Sequence, residues 1–412
     1  MKNGETKVKK PIILRFTNVA HFYSHMMMLV YPTVVIALET IFRLPFGELL
    51  ALSLTGFILY GVAALPAGWL GDRWSAQGML VIFFFGTGLS GIAVGLATDP
   101  LQIAISLGAI GLFSSIYHPV GTALVVANSE KRGKALGING VFGTAGIAAT
   151  PIIAASLASI FSWRYAFIVP GVLCLITGLW FINSVKVVAT AASRKRGSFI
   201  SMLSPRQVWR GLGILCITVF CVGLLAQATT VAMPKIFAVS APGIVGKFGL
   251  VGAGGLASIA LAIGALGQLG GGWLADRYRL TIIYPGIYII MIPLALLCGY
   301  LNGLPLVVAM GAVMFLITCS LPTENSLVAH YCPELWHARA YGAKFVLGLG
   351  ISSLAIPLTG KIYDITGGFW WVFCGFSIIA LVIAIFGAFL PSLSTSKSNI
   401  RNGRDSTMER IV

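Results

Sequence analysis

Twelve apolar runs, each long enough to cross a bilayer and each bounded by charges, glycine, proline or a polar turn, follow one another through this chain. The first six lie at about 16–39, 47–70, 78–97, 101–127, 134–160 and 164–184. The second six lie at about 209–233, 249–274, 281–300, 304–329, 338–362 and 369–390. A helix rises 1.5 Å per residue, so about 20 apolar residues cover the roughly 30 Å of hydrocarbon. Inside that layer each backbone N–H and C=O must be satisfied within its own segment, and runs of this length take the form of helices. The expected fold is therefore an all-α membrane protein of twelve transmembrane helices. A soluble enzyme is excluded: of 412 residues 57% are hydrophobic and 10% charged, against about 25% charged in a soluble domain.

The 28 Lys and Arg outnumber the 12 Asp and Glu, giving +16. In a soluble protein that excess would suggest nucleic acid; in a membrane protein it asks on which side the charge lies. With both termini cytoplasmic, 23 of the basic residues fall on the cytoplasmic side, and five (Arg43, Arg164, Lys235, Lys247 and Lys361) fall on the other. This is a positive-inside pattern, which places the chain as a multi-pass protein of the plasma (inner) membrane with both termini cytoplasmic. The expected partner is the lipid bilayer, with no nucleic acid. The seven Cys show no CxxC pair or metal-ligand spacing, so neither a disulfide framework nor a structural zinc site is expected.

The longest polar interruption, 185–208, carries Arg194-Lys195-Arg196 and reads as a cytoplasmic linker. It separates a six-helix bundle at 16–184 from another at 209–390. A cytoplasmic segment, 1–15, precedes them, and a basic tail without apolar periodicity, 391–412, is expected to be disordered. The halves repeat. Gly68-Trp69-Leu70-Gly71-Asp72-Arg73 returns as Gly272-Trp273-Leu274-Ala275-Asp276-Arg277, and Pro119, Arg132 and Pro151 return as Pro322, Arg339 and Pro357 at nearly the same offset. Six spans per copy give both copies one orientation, a parallel repeat about an axis along the membrane normal.

These motifs resemble the major facilitator superfamily over essentially all twelve spans. Gly68, Asp72 and Arg73, and again Gly272, Asp276 and Arg277, match the first half of its helix 2–3 signature. Ser75-Ala76-Gln77 and Arg279-Leu280-Thr281 replace the Gly and basic pair of the second half. Three further segments are similar to the fosmidomycin-resistance type of efflux protein: Ala20-His21-Phe22-Tyr23-Ser24-His25, Ser114-Ser115-Ile116-Tyr117-His118-Pro119, and the glycine-rich fifth run. Where that type carries acids, this chain has Val120 and His25, so a proton path through those acids does not carry across. The resemblance implies a secondary transporter in which two bundles rock about a cavity lined by helices 1, 4, 7 and 10. The fifth run, with Gly143, Gly146 and Thr150-Pro151, resembles an antiporter signature found in exporters.

Ionisable groups within a membrane are costly and point to function. Glu324, beside Pro322 and Asn325 in the tenth run, is the one acid placed well inside a span. It reads as a proton-binding or substrate-binding carboxylate, with a structural ion pair as the alternative. His118 and Tyr117 precede Pro119, and the repeat sets His118 at a depth similar to that of Glu324 across the seam between halves. His21 and His25, four residues apart, share a helix face. Without an acid nearby in sequence they are expected to line the cavity, with no metal bound. Gln227, with Thr229 and Thr230, forms a polar patch on the seventh run. His330 and Lys344 are expected near the cytoplasmic ends, outside the core site. Asp72 and Asp276 are expected to dock on the positive end of a neighbouring helix in one state only. No phosphate-binding loop of the Gly-x-x-x-x-Gly-Lys-Ser/Thr type is present. The expectation is a monomeric, proton-gradient-driven exporter of a small molecule without a cofactor, and not an enzyme; import of a nutrient or organic anion is the alternative, and an integral-membrane enzyme or non-transporting scaffold the remote one.

Overall fold

The computed structural model describes residues 10–185, 204–333 and 336–392. Among them are twelve helices long and apolar enough to span a bilayer. The first six are α1 (Pro11–Phe42), α2 (Phe46–Arg73), α3 (Ala76–Leu96), α4 (Pro100–Ala127), α5 (Arg132–Ile160) and α6 (Tyr165–Ser184). The second six are α7 (Arg206–Ser240), α8 (Pro242–Arg277), α9 (Leu280–Cys298), α10 (Gly303–Tyr331), α11 (Arg339–Thr366) and α12 (Trp370–Ala388). The all-α, twelve-span architecture expected from the apolar runs is the one observed. The expected N-terminal segment and tail, and most of the linker, lie outside the described residues.

Several helices outrun the apolar pattern that predicted them. α7 starts within the expected linker because Ser204 and Gln207 form a reciprocal capping box and Pro205 occupies the first turn, where its missing N–H costs nothing. α1 and α7 also run past residues 39 and 233, which draws Glu39 and Lys235 into the helical bundle. α8 begins seven residues early, with a break at Gly249, whose φ of 58° lies in the left-handed region open to glycine.

The two halves repeat their packing. α3 lies on α6 as α9 lies on α12, α2 on α4 as α8 on α10, and α1 on α5 as α7 on α11. Between the halves the seams run α2 against α11 and α5 against α8, and small residues let the backbones touch. A methyl on Gly61 would meet Gly350 N at 2.2 Å, one on Gly47 would meet Gly360 C at 2.5 Å, and one on Gly254 would meet Pro151 O at 2.5 Å.

An even number of spans puts both termini on one face, and the closure of the seams differs between that face and the opposite one. Along α5 and α8, contact is tight at Pro151 and Gly254. Nearer the face of the termini a methyl on Gly140 would stand 4.0 Å from Gln268, and methyls on Gly137 and Gly272 would touch nothing within 4 Å. The molecule is thus shut at the opposite face and splayed along this seam toward the termini. The α2–α11 seam stays closed further, to Leu65 and Gly342.

Candidate functional site

Three imidazoles meet between α1 and α4. One ring nitrogen of each of His21, His25 and His118 lies within 4.8 Å of the others. Their ring centroids stand 5.0 Å (His21–His25), 5.3 Å (His25–His118) and 5.6 Å (His21–His118) apart. The spacing of four brings His21 and His25 to one face of α1. His118 is turned toward them by a wide π-turn at Tyr117–Gly121. Pro119 has no N–H to hold a regular α-turn, and single wide turns of this kind concentrate at functional sites.

The cluster is held from behind. His21 Nδ1 lies 2.8 Å from Asn139 O, and Tyr117, stacked on His21, donates to Asn139 Oδ1 at 2.8 Å. Asn139 Nδ2 donates in turn to Asn18 Oδ1 at 3.0 Å. On the other side His118 Nε2 is 2.8 Å from Tyr60 Oη, which is 3.0 Å from Ser24 Oγ, and Ser24 donates to Ser114 O. The glycines of α5 explain the seat of His21: a methyl on Gly143 would fall 2.5 Å from its ring, and one on Gly146 would fall 2.5 Å from Phe22 O. Packing against α1 is therefore what Gly143 and Gly146 permit, and Pro151 sits at the seam with α8.

Glu324 is 1% exposed and turned into its own half. Lys344 Nζ of α11 lies 2.7 Å from Oε1, and Tyr284 of α9 donates to Oε2 at 2.9 Å. Asn325 accepts from Lys344 through Oδ1 at 2.5 Å and from the Tyr341 hydroxyl through its carbonyl at 3.0 Å. Although similar depth was expected of Glu324 and His118, no contact among the described residues joins them. Equal sequence depth fixes height along a helix but not the face presented. Lys344, expected near a helix end and outside the site, is instead 16% exposed and paired. The next residue, Phe345, stacks on His118 with centroids 5.3 Å apart. Consecutive residues of α11 thus touch the carboxylate of one half and one imidazole, His118, of the other. Gln227 of α7 donates to Leu349 O at 3.1 Å, satisfying a carbonyl in a second π-turn, Val346–Gly350.

Residues 17–355 match the family model described as Major Facilitator Superfamily. The chain belongs to the major facilitator superfamily. With its twelve apolar helices it is a multi-pass integral membrane protein. Among curated relatives it is similar to the "Probable L-galactonate transporter" of Escherichia coli (strain K12), 28% identical over 128 residues, 30% of this chain and 28% of that one. It is also similar to the "Putative glycerol-3-phosphate transporter 5" of Arabidopsis thaliana, 32% identical over 127 residues, 29% of this chain and 26% of that one. The matched stretch spans less than a third of either relative. Among solved structures, the nucleoside transporter NupG superposes with a TM-score of 0.73 at 15% identity, over 91% of this chain and 99% of that one. An inward-facing bacterial homologue of the human lysosomal transporter Spinster gives 0.71 at 12% identity, over 93% and 95%. The outward-facing FucP structure gives 0.60 at 15% identity, over 93% and 100%.

A clasp at the face opposite the termini was not legible as a site. At the opposite face Lys235 of α7 lies 2.7 Å from Glu39 Oε1 and 2.8 Å from Oε2. Its ammonium also faces the rings of Phe46 and Tyr363 at 5.3 and 5.2 Å. Beside it Gly47 N donates to both carboxylate oxygens of Asp364. Together these clasp α1 and α2 to α7 and α11. At the face of the termini, Gly68, Asp72 and Arg73 and their copies Gly272, Asp276 and Arg277 close α2 and α8. Arg73 stacks on Trp69 at 4.5 Å and Arg277 on Trp273 at 4.2 Å. Asp72 and Asp276 are exposed and make no ion pair among the described residues. The expected docking of these acids is not made in this state, in keeping with the splayed α5–α8 seam.

Proposed function

We propose that the chain is a proton-coupled exporter that works by alternating access, with its cargo bound at the imidazole cluster and its proton carried by Glu324. The observation that carries this reading is the adjacency of Lys344 and Phe345. While ionised, Glu324 holds Lys344 in a largely buried pair, which persists only as long as both charges do. A proton on Glu324 removes the attraction, and Lys344 then gains by moving to water. The helix that releases it also carries Phe345 off His118, and the wide turn at Val346–Gly350 lies immediately beyond as the place to bend. The cytoplasm is assigned to the face of the termini by the distribution of basic residues, so the state described is the one that loads from inside.

The reading is tested in proteoliposomes with an imposed pH gradient and by expression in an efflux-deficient host. Export predicts raised tolerance and lower accumulation of cargo, both lost in Glu324→Gln. Full pH-driven transport by Glu324→Gln would overturn the coupling. Both curated relatives are named for carriers of organic anions, which supports import of such an anion as the second reading. Gain of growth on that solute would favour it.

A further inference from the structure

We infer that His21, His25 and His118 are three ligands for a late first-row divalent cation of the Zn²⁺, Ni²⁺ or Co²⁺ type. This rests on the reading of the cluster as the cargo site and names the class of cargo.

The sequence offered two histidines at a common spacing, and the fold adds a third from another helix. Three imidazoles with an open fourth position is a donor set suited to zinc and its neighbours, and imidazole prefers these cations over Mg²⁺ or Ca²⁺. The hydrogen bonds around the cluster prepare it for this use. A carbonyl only accepts, so the contact between His21 Nδ1 and Asn139 O requires a proton on Nδ1 and leaves Nε2 with its lone pair. The second chain ends the same way. Ser24 donates to Ser114 O, so Ser24 Oγ accepts from the Tyr60 hydroxyl, and Tyr60 Oη accepts from His118 Nε2–H. His118 Nδ1 is then bare. A ring nitrogen tied to a carbonyl or hydroxyl, with the other free to bind, is the arrangement that orients metal-ligating histidines. His25 forms the third corner of the triangle and makes no hydrogen bond among the described residues, so it gives up none on binding a cation.

The shape of the site agrees. A side chain at Gly143 would occupy the space beside the His21 ring, with atoms 2.5 Å from both Cε1 and Nε2. A Phe345 that leaves His118 as α11 moves would uncover the cluster on the side of the other half. Among the described residues no acid contacts the rings, so the cation keeps its double charge in the site. That charge can be balanced by an anion brought with the cation.

The test is equilibrium binding to the full-length protein in nanodiscs. Zn²⁺ is titrated against a chelating dye, and Co²⁺ is followed by its visible ligand-field absorption. One cation per chain is expected, with no competition from a large excess of Mg²⁺. His21→Ala, His25→Ala and His118→Ala should each weaken binding about 100-fold or more. Tyr60→Phe, which removes only the outer contact, should cost about 10-fold. Wild-type stoichiometry in the triple His→Ala protein, or absence of ligand-field bands with cobalt, would overturn the assignment. Thermal unfolding of each variant identifies any that has simply failed to fold. Pairing the titration with an organic-solute transport assay separates the two levels: a protein that moves an organic solute but binds no cation refutes the metal and leaves the transporter reading standing. Loss of that transport in the wild type would strike the reading itself.

Discussion

Substituting Glu39 by Gln tests whether the opposite face is held shut as described. In the closed state Lys235 is 8% exposed, faces the Glu39 carboxylate, and lies between the rings of Phe46 and Tyr363. When that face opens, α7 leaves α1 and both charges reach water, so the pair stabilises only the closed state. The side chains are 11% and 25% exposed, which sets the interaction above the roughly 0–1 kcal/mol of a surface pair and below the 3–5 kcal/mol lost on breaking a fully buried one. Glu39→Gln should therefore move the closed-to-open ratio by about 1–3 kcal/mol, or 5- to 150-fold. Spin labels at Thr40→Cys and Thr366→Cys, both exposed at that face, would report the distance distribution by double electron–electron resonance. Cys216 and Cys374, the native cysteines that are not buried, would first be replaced by Ser. A long-distance population should grow in Glu39→Gln, and it should grow less in Glu39→Gln/Lys235→Met, where no buried charge is left unpaired. A closed fraction that stays within about a factor of two of wild type would refute the clasp.

Three other outcomes follow from particular contacts. Gly143→Ala forces a methyl against His21 and should weaken cargo binding about tenfold or more, whereas Gly137→Ala, with open space around it, should leave binding unchanged; the two are compared by titration. Gln227→Leu strands the Leu349 carbonyl and should lower stability by about 1–3 kcal/mol, read as a lower melting temperature in nanodiscs. Asp72→Asn combined with Asp276→Asn should not weaken the state described, in which neither acid makes an ion pair among the described residues. It should disfavour the state closed at the face of the termini, and cross-linking across that face should fall.

Much of the fold was legible because the bilayer imposes it. Span number and the repeat around Gly68 and Gly272 follow from one-dimensional patterns and the structure agrees with both, whereas span length was underestimated for α1, α7 and α8. Site geometry was legible only where one helix carries both partners, as with His21 and His25. His118 joined them through a wide turn that Pro119 hints at but does not define. Tyr60 and Asn139 looked like ordinary members of an apolar run and a glycine stripe, and their contacts arise from rotations about helix axes that spacing does not encode. Lys344 was the recoverable omission. A lone acid in α10 calls for a compensating charge, and α11 carries a base, Lys344, as its sixth residue. Lys235 lies at the face opposite the termini, as its assignment to that side implied; what spacing does not encode is its pairing with Glu39, which lets both helices continue.

The central claim is that protonation of Glu324 releases Lys344 and moves α11. Its carboxylate is faced by Lys344 of α11 and Tyr284 of α9, with Tyr288 beside them on Ser320. The most direct test is the pH dependence of the distance between spin labels at Lys134→Cys on α5 and Tyr278→Cys beyond α8, in wild type and in Glu324→Gln. The wild-type distribution should shift on acidification, and Glu324→Gln should show the acid distribution at every pH. A Glu324→Gln protein whose distribution still moves with pH as the wild type's does would contradict the account.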